Sequence, residues 1–457
     1  MKTITSLRPE VAGAGFSVFL TSYDPSDLPG GSLDPLGFER GYLFLADKIL
    51  PGLTNVADRP RYFSVLCAGV SLAEIGMSDP PRLQYQNRLD CLLRFERFWA
   101  LANVLATHDA NGEDFPVAGI RGVTYAAHKA ESLVHDSEHR ADAEFKLLSR
   151  QVPYGVVGIY GAVADGMRFL DRKTFLLTPD LGERLAEGFL EESGIPPSLI
   201  KAVRENGDLP LAKLTEWGRR AHISGNLWPI ETDYMHDALN RNPVRARMAT
   251  VLAEHPFEES GDNEMARLRR ILPQLASQET NQDLAEAVAA ILTYETCYRL
   301  VALGFERLLW LCRTAPAGSI SPSDIKADNV LSLLCERLPA ASLAFGHSLD
   351  TGKTTLFRSE LHRLEDTRRF LERAAAACDS KESLTRELML RHDDVQRGKF
   401  DRGRRKMPWL ELNANHIGLT LTRVGGLDRE ALTLADISPH PYRLSSADAL
   451  IAAARPQ

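Results

Sequence analysis

The densest run of side chains able to hold an anion is residues 391–406, RHDDVQRGKFDRGRRK, with Trp409 three residues further on. Seven Lys/Arg stand there against three Asp, a local balance of +4 in a chain of net charge -7. Basic groups neutralise phosphates and a neighbouring indole stacks on a base or sugar, so Arg404, Arg405, Lys406 and Trp409 are candidates for nucleic-acid contact. The alternative is a solvated linker, with Trp409 anchoring the adjoining hairpin in the core. A second patch, Arg59, Arg61 and Tyr62, comes just after LPGLTN. The guanidinium fork matches a phosphate, and a helix N-terminus at this place attracts anions too. Its alternative is an ion pair of Arg61 with Asp47 or Asp58 that fixes two helices. Asp34, in PGGSLDPLG, is the candidate catalytic carboxylate, because the adjoining glycines let a ligand approach the backbone. Its alternative is to cap the helix that Pro35 opens.

Other chemistries find less support. His128, His135 and His139 are seven and four residues apart, so one helix face presents all three, with Glu131 and Glu138 close by. No H-E-x-x-H accompanies them, and a wet, charged helix face explains the run without a metal. The six cysteines are scattered through apolar helical stretches without a C-x-x-C pair, and read as buried free thiols of a reducing compartment. Gly346 and Gly352, in GHSLDTGKT, are separated by five residues where a phosphate loop has four. With no parallel α/β pattern around it, this stretch reads as a helix-connecting turn. There is no G-x-S-x-G elbow and no cysteine-protease signature. No cofactor and no metal are expected.

The elements that must position these residues are mostly helices. A chain of 457 residues with 44% hydrophobic and 25% charged residues is globular and too long for one core. The expected fold class is mainly α: a multi-domain helical protein with a winged-helix-like segment and a small C-terminal β-hairpin region. Residues 1–110 read as an N-terminal helical domain, with a short strand at 16–20 and helices at 34–50, from about 58, and at 86–106. Residues 111–195 hold a helix around Leu147 and Leu148, a second at 159–167, and two short strands about the turn Asp171-Arg172-Lys173-Thr174. Strand, polar turn, strand and the helix opened by Thr178-Pro179 or Asp180 resemble the wing and following helix of bacterial winged-helix domains. Residues 196–395 are helical, and 396–457 hold the basic segment, a hairpin turning at Asn413-Ala414-Asn415, and a terminal helix at 446–454. The N-terminus is a poor signal peptide. The most apolar stretch, 285–312, contains Glu295, Arg299, Glu306 and Arg307 and reads as a buried central helix. A cytoplasmic protein with no membrane segment is the expectation.

Three stretches together resemble a bacterial family that occurs near anti-phage and restriction genes. They are DPLG at 34–37 with LPGLT at 50–54 and Arg59-x-Arg61-Tyr62; residues 151–160 with Leu177-Thr178-Pro179; and RKMPWLE at 405–411. A looser association, carried by none of these motifs, links such proteins to DNA glycosylases that excise modified nucleobases from phage DNA. The resemblance implies that a modified base is flipped into a pocket, where Asp34 orients water or stabilises the sugar cation. Arg59, Arg61 and Arg404, Arg405 and Lys406 then hold phosphates, and Tyr62 or Trp409 stacks. Two other readings remain: a non-catalytic DNA-binding or assembly subunit of a defence system, and a helical scaffold that touches no nucleic acid. Since the histidines and cysteines form no closed set of ligands, exhaustive chelation is expected to leave folding intact. Stoichiometric zinc, lost on replacing His135 and His139, would contradict this.

Overall fold

A computed structural model describes residues 34–74, 76, 79–111, 117–135, 139–258, 263–352, 360–401, 404–413, 416–420, 427 and 429–455. Among them are eighteen α-helices and a few short strands, so the protein is mainly α. The expected strand at 16–20 lies outside the described residues. The chain forms two compact units, one of Met1–Lys48 with Met265–His440, the other of Ile49–Glu264 with Pro441–Gln457. The segments 1–110, 111–195, 196–395 and 396–457 do not coincide with these units. Helix packing groups elements distant in sequence: Leu444–Ala453 lies against Pro229–Asn240 and Pro243–Glu254.

The 49–264 unit is organised by helix Pro81–Asn111, five residues longer at each end than its apolar spacing suggests. Phe95, Phe98, Trp99, Leu101 and Ala102 are all buried, because helices Arg61–Ser71, Val123–Val134 and Leu211–Arg220 cover several of its faces. A Cβ at Gly218 would fall 2.1 Å from the Ala102 carbonyl oxygen, so glycine permits the close approach of Leu211–Arg220. The hairpin expected around residues 171–174 is present, with Leu170 opposite Leu177 and Asp171 opposite Leu176. Its turn is held by the Lys173 N–H donating to Asp171 Oδ1 at 2.8 Å, and helix Gly182–Glu192 comes after it. Leu147 and Leu148 differ from expectation, lying in a bend instead of a helix. Strand Arg140–Asp142 pairs with Asp208–Pro210 just upstream, and Asp142 Oδ1 takes the Glu144 N–H at 2.7 Å, turning the chain away from helix.

The 265–440 unit is built on helix Gln282–Thr314, 33 residues long. It belongs to the one stretch among the described residues, Glu279–Thr314, long and apolar enough to cross a membrane. Three of its charged groups are answered within the unit: Glu295 by His440 at 2.7 Å, Arg299 by the Ile437 carbonyl at 2.9 Å, and Arg307 by Asp328 at 2.6 Å. The expected turn at 346–352 is instead the last part of helix Asn329–Thr351. Arg368 of helix His362–Ala376 holds that end through Asp350, at 2.7 and 3.0 Å. The C-terminal hairpin has the expected place, Leu410–Asn413 against His416–Leu419, with Leu412 opposite Ile417. Ser319–Ile320 adds a third strand, too short to read from the sequence.

Candidate functional site

Helix Lys381–Arg397 starts where the Ser380 hydroxyl accepts the Ser383 N–H at 3.1 Å, and buries Leu384 and Leu388 toward the core. Its last turns bury polar groups as well: Arg391, His392 and Gln396. These donors meet the segment leading into helix Glu39–Ile49, whose carbonyls have no regular structure to satisfy them. Arg391 Nε donates to the Leu36 oxygen at 2.8 Å, and His392 Nδ1 to the Pro35 oxygen at 3.0 Å. The Asp34 oxygen receives Gln396 Nε2 at 3.4 Å and Lys399 Nζ at 2.5 Å. His392 Nε2 accepts the Trp409 N–H at 2.8 Å, which assigns the ring proton to Nδ1. Burial holds this histidine neutral, with its pKa pushed down to about 4.

The Asp34 side chain is occupied by amides. Its Oδ1 accepts the Gly37 N–H and its Oδ2 the Glu39 N–H, each at 2.8 Å, so it performs the capping role for helix Glu39–Ile49. Gly37, at φ +77°, makes the turn this requires. The carboxyl carried by the first helical residue, Glu39, is half-buried. Burial raises its pKa, the Asp34 charge raises it further, and Lys399 and His440 oppose both. Burial depresses the Lys399 pKa, against the attraction of Asp34 and Glu39 and with the help of Lys406. His440 is fixed from two sides. Its Nδ1 donates to Glu295 Oε1 at 2.7 Å and its N–H to Oε2 at 3.1 Å. Its ring stacks on Tyr42 at 4.7 Å and lies 3.9 Å from the Tyr298 ring. Asp34, Glu39, Lys399, Tyr298 and His440 keep partial exposure while Glu295 is buried behind them. A half-buried carboxyl of raised pKa beside an ammonium and an oriented imidazole is an arrangement for general acid–base chemistry.

Comparison of the chain with protein-family models, curated proteins and solved structures finds no match.

Of the residues singled out in the sequence, Asp34, Lys406 and Trp409 belong to this neighbourhood. Trp409 is 9% exposed and packs near Phe305 and His392, the anchoring alternative. Arg404 and Arg405 form the strand that pairs with Phe400–Asp401, and the Arg405 side chain is exposed. Arg59, Arg61 and Tyr62 belong to the 49–264 unit. Arg59 is exposed, and its N–H donates to the Tyr160 hydroxyl at 3.3 Å. Arg61 and Tyr62 lie in the core, each 1% exposed, and not on a phosphate-binding surface. Arg61 pairs with Glu231 at 2.9 Å, instead of Asp47 or Asp58, and its guanidinium covers the Trp228 ring at 4.4 Å. Tyr62 stacks on Tyr160 at 4.6 Å and accepts the Arg121 N–H at 2.8 Å. The three histidines do not share a helix face: Val123–Val134 carries His128 and ends before His135, and His139 has φ +45°.

Glu39, Glu295 and His440 did not stand out in the sequence, and Lys399 counted only as one charge of the basic run. One signal was present for His440, which stands between Pro439 and Pro441, where neither helix nor central strand is accommodated. Because Asp34 raises the Glu39 pKa and Lys399 lowers it, the two substitutions should move it oppositely. Carboxyl-carbon NMR titration is expected to show the Glu39 pKa falling in Asp34→Asn and rising in Lys399→Met. Shifts of the same sign in both would contradict the arrangement.

Proposed function

We propose that the protein is a bacterial anti-phage DNA glycosylase that excises modified nucleobases from phage DNA and leaves abasic sites. The observation that carries the reading is the half-buried Glu39, its pKa raised, set among Asp34, Lys399 and His440. A carboxyl whose pKa is raised donates its proton to the departing base more readily than an ordinary glutamate; its conjugate carboxylate then steadies the sugar cation or takes a proton from water. Asp34 acts as a positioning residue, through the Glu39 amide. Lys399, Lys406 and the exposed Arg405 supply positive charge for the flanking phosphates. The flipped base enters beside Tyr298 and His440. The resemblance of the three stretches to a defence-associated family supports the same reading. So does the hairpin with helix Gly182–Glu192, taken as a winged-helix-like grip on duplex. On this reading the protein works in the cytoplasm on DNA, apart from any membrane, and needs no cofactor and no metal.

A second reading, a non-catalytic DNA-binding or assembly subunit of a defence system, is favoured by Phe400 and Met407. These side chains are 55% and 59% exposed beside the basic strand, as a contact surface would have them. One experiment separates the two. Modified phage DNA is incubated with the protein, and free base and alkali-labile sites are measured. Wild type is expected to release base, and Glu39→Gln to lose on the order of 10²–10⁴ in rate without losing DNA affinity. Replacing Arg404, Arg405 and Lys406 by Ala should weaken binding and flatten its salt dependence by about one slope unit per lost phosphate contact. Tight binding with no base released from any modified DNA would overturn the glycosylase reading in favour of the second.

A further inference from the structure

Glu295 and His440 meet in a geometry more specific than an ion pair requires. Glu295 projects from the central helix Gln282–Thr314 at 2% exposure, and each of its oxygens accepts from the same residue. The backbone N–H of His440 donates to Oε2 at 3.1 Å, and the ring Nδ1 to Oε1 at 2.7 Å. Pro439 and Pro441 on either side stiffen the backbone that presents the ring. A carboxylate only accepts, so the proton of the neutral ring stays on Nδ1 and the lone pair on Nε2. Among the described residues Nε2 has no hydrogen-bond partner, and the side chain keeps 15% exposure. The Tyr42 ring lies almost parallel to the imidazole, with 12° between their planes. Tyr42 stands three residues after Glu39 on helix Glu39–Ile49, so the Glu39 carboxyl shares a helix face with the ring that stacks on His440. Tyr294, next to Glu295, ties the two helices by donating its hydroxyl proton to the Phe38 oxygen.

We propose that His440 is the general base of the site, taking a proton from the attacking water through Nε2, with Glu295 as its positioning residue. This role rests on the glycosylase reading and divides the proton transfers between two groups. As the bond between the sugar C1′ and the base nitrogen breaks, its electron pair leaves with the base, which takes the Glu39 proton. The water oxygen bonds to C1′ and gives one proton to His440 Nε2. The products are the free base, a sugar with a hydroxyl at C1′, a Glu39 carboxylate and a His440 imidazolium. Passage of one proton from the imidazolium to the carboxylate through solvent restores both. The Glu39 carboxylate is thereby left to steady the sugar cation, and Glu295 stabilises the imidazolium as it forms. Glu295 also decides the tautomer. In Glu295→Gln the backbone N–H of His440 still takes the one side-chain oxygen, which turns the amide NH2 toward Nδ1. The ring proton then moves to Nε2, and the lone pair that would accept from water is lost.

The test combines nitrogen-15 NMR of the histidine-labelled full chain with release of free base from modified phage DNA. The neutral His440 ring is expected to carry its proton on Nδ1 in wild type and on Nε2 in Glu295→Gln, with the backbone amide spectrum otherwise preserved. Base release should fall by about 10²–10⁴ in His440→Ala and fall in Glu295→Gln as well. Imidazole added to His440→Ala should restore activity saturably, whereas pyrrole, a ring of the same shape without a basic nitrogen, should not. An Nδ1 proton retained in Glu295→Gln overturns the positioning role. Active wild type with full activity in His440→Ala, or with equal rescue by pyrrole, overturns the base and leaves the glycosylase reading standing. No base released by wild type overturns that reading and this role with it.

Discussion

A stretch of chain without regular structure must give its carbonyl oxygens to water or to donors brought from elsewhere. Residues 34–36 take the second course, and the 265–440 unit is arranged around that fact. The oxygens of Asp34, Pro35 and Leu36 are met in order by Gln396 with Lys399, His392 and Arg391, from the end of one helix and the residues just after it. His392 reaches both ways, donating to Pro35 and accepting from Trp409. It thereby joins the leading segment to the strand that opens the C-terminal sheet. Arg391 is tied in turn to Asp366 at 2.7 Å and lies over the Phe370 ring at 5.2 Å. Breaking a buried, hydrogen-bonded polar group out of such a set typically costs about 1–3 kcal/mol, because its partner is left unsatisfied.

Holding 34–36 in place fixes the first turn of helix Glu39–Ile49 and with it the Glu39 carboxyl. The electrostatics there are a contest. Burial and the Asp34 charge favour the protonated form, while Lys399 and His440 favour the carboxylate, and the first pair prevails. Each unit of pKa displacement corresponds to about 1.4 kcal/mol between the two protonation states. Half-burial is central to this balance. A fully exposed Glu would lose the burial that raises its pKa, and a sealed one would meet no substrate. The aromatic faces of Tyr42 and Tyr298 hold the His440 ring at a constant attitude.

Helical class, the hairpin at 170–177, the C-terminal hairpin and the long central helix were all legible, because each rests on a periodicity or a turn within a few residues. Leu147 and Leu148 misled because two adjacent leucines suit a bend as well as a helix, and the chain here bends after the strand 140–142 that pairs with 208–210. Gly346 looked like a break, yet the Asp350–Arg368 bonds and neighbouring packing outweigh one glycine in a helix. The functional residues were harder. Asp34 and Trp409 were each weighed between a chemical and a structural task, and their structural tasks are the ones visible in the geometry. Arg61 pointed to a surface by its spacing, but its partner Glu231 is 170 positions away and leaves no local trace. Glu39, Glu295 and His440 come from three distant segments, so only the folded chain brings them together.

If the helix-end donors are responsible for the order of residues 34–39, amide hydrogen exchange of His392→Leu reads that dependence directly. Faster exchange is predicted at the Gly37 and Glu39 amides and also at the Trp409 amide, which loses its acceptor, while the middle of helix Gln282–Thr314 keeps its protection. Unchanged protection at Gly37 and Glu39, with effects confined to helix Lys381–Arg397, would contradict it.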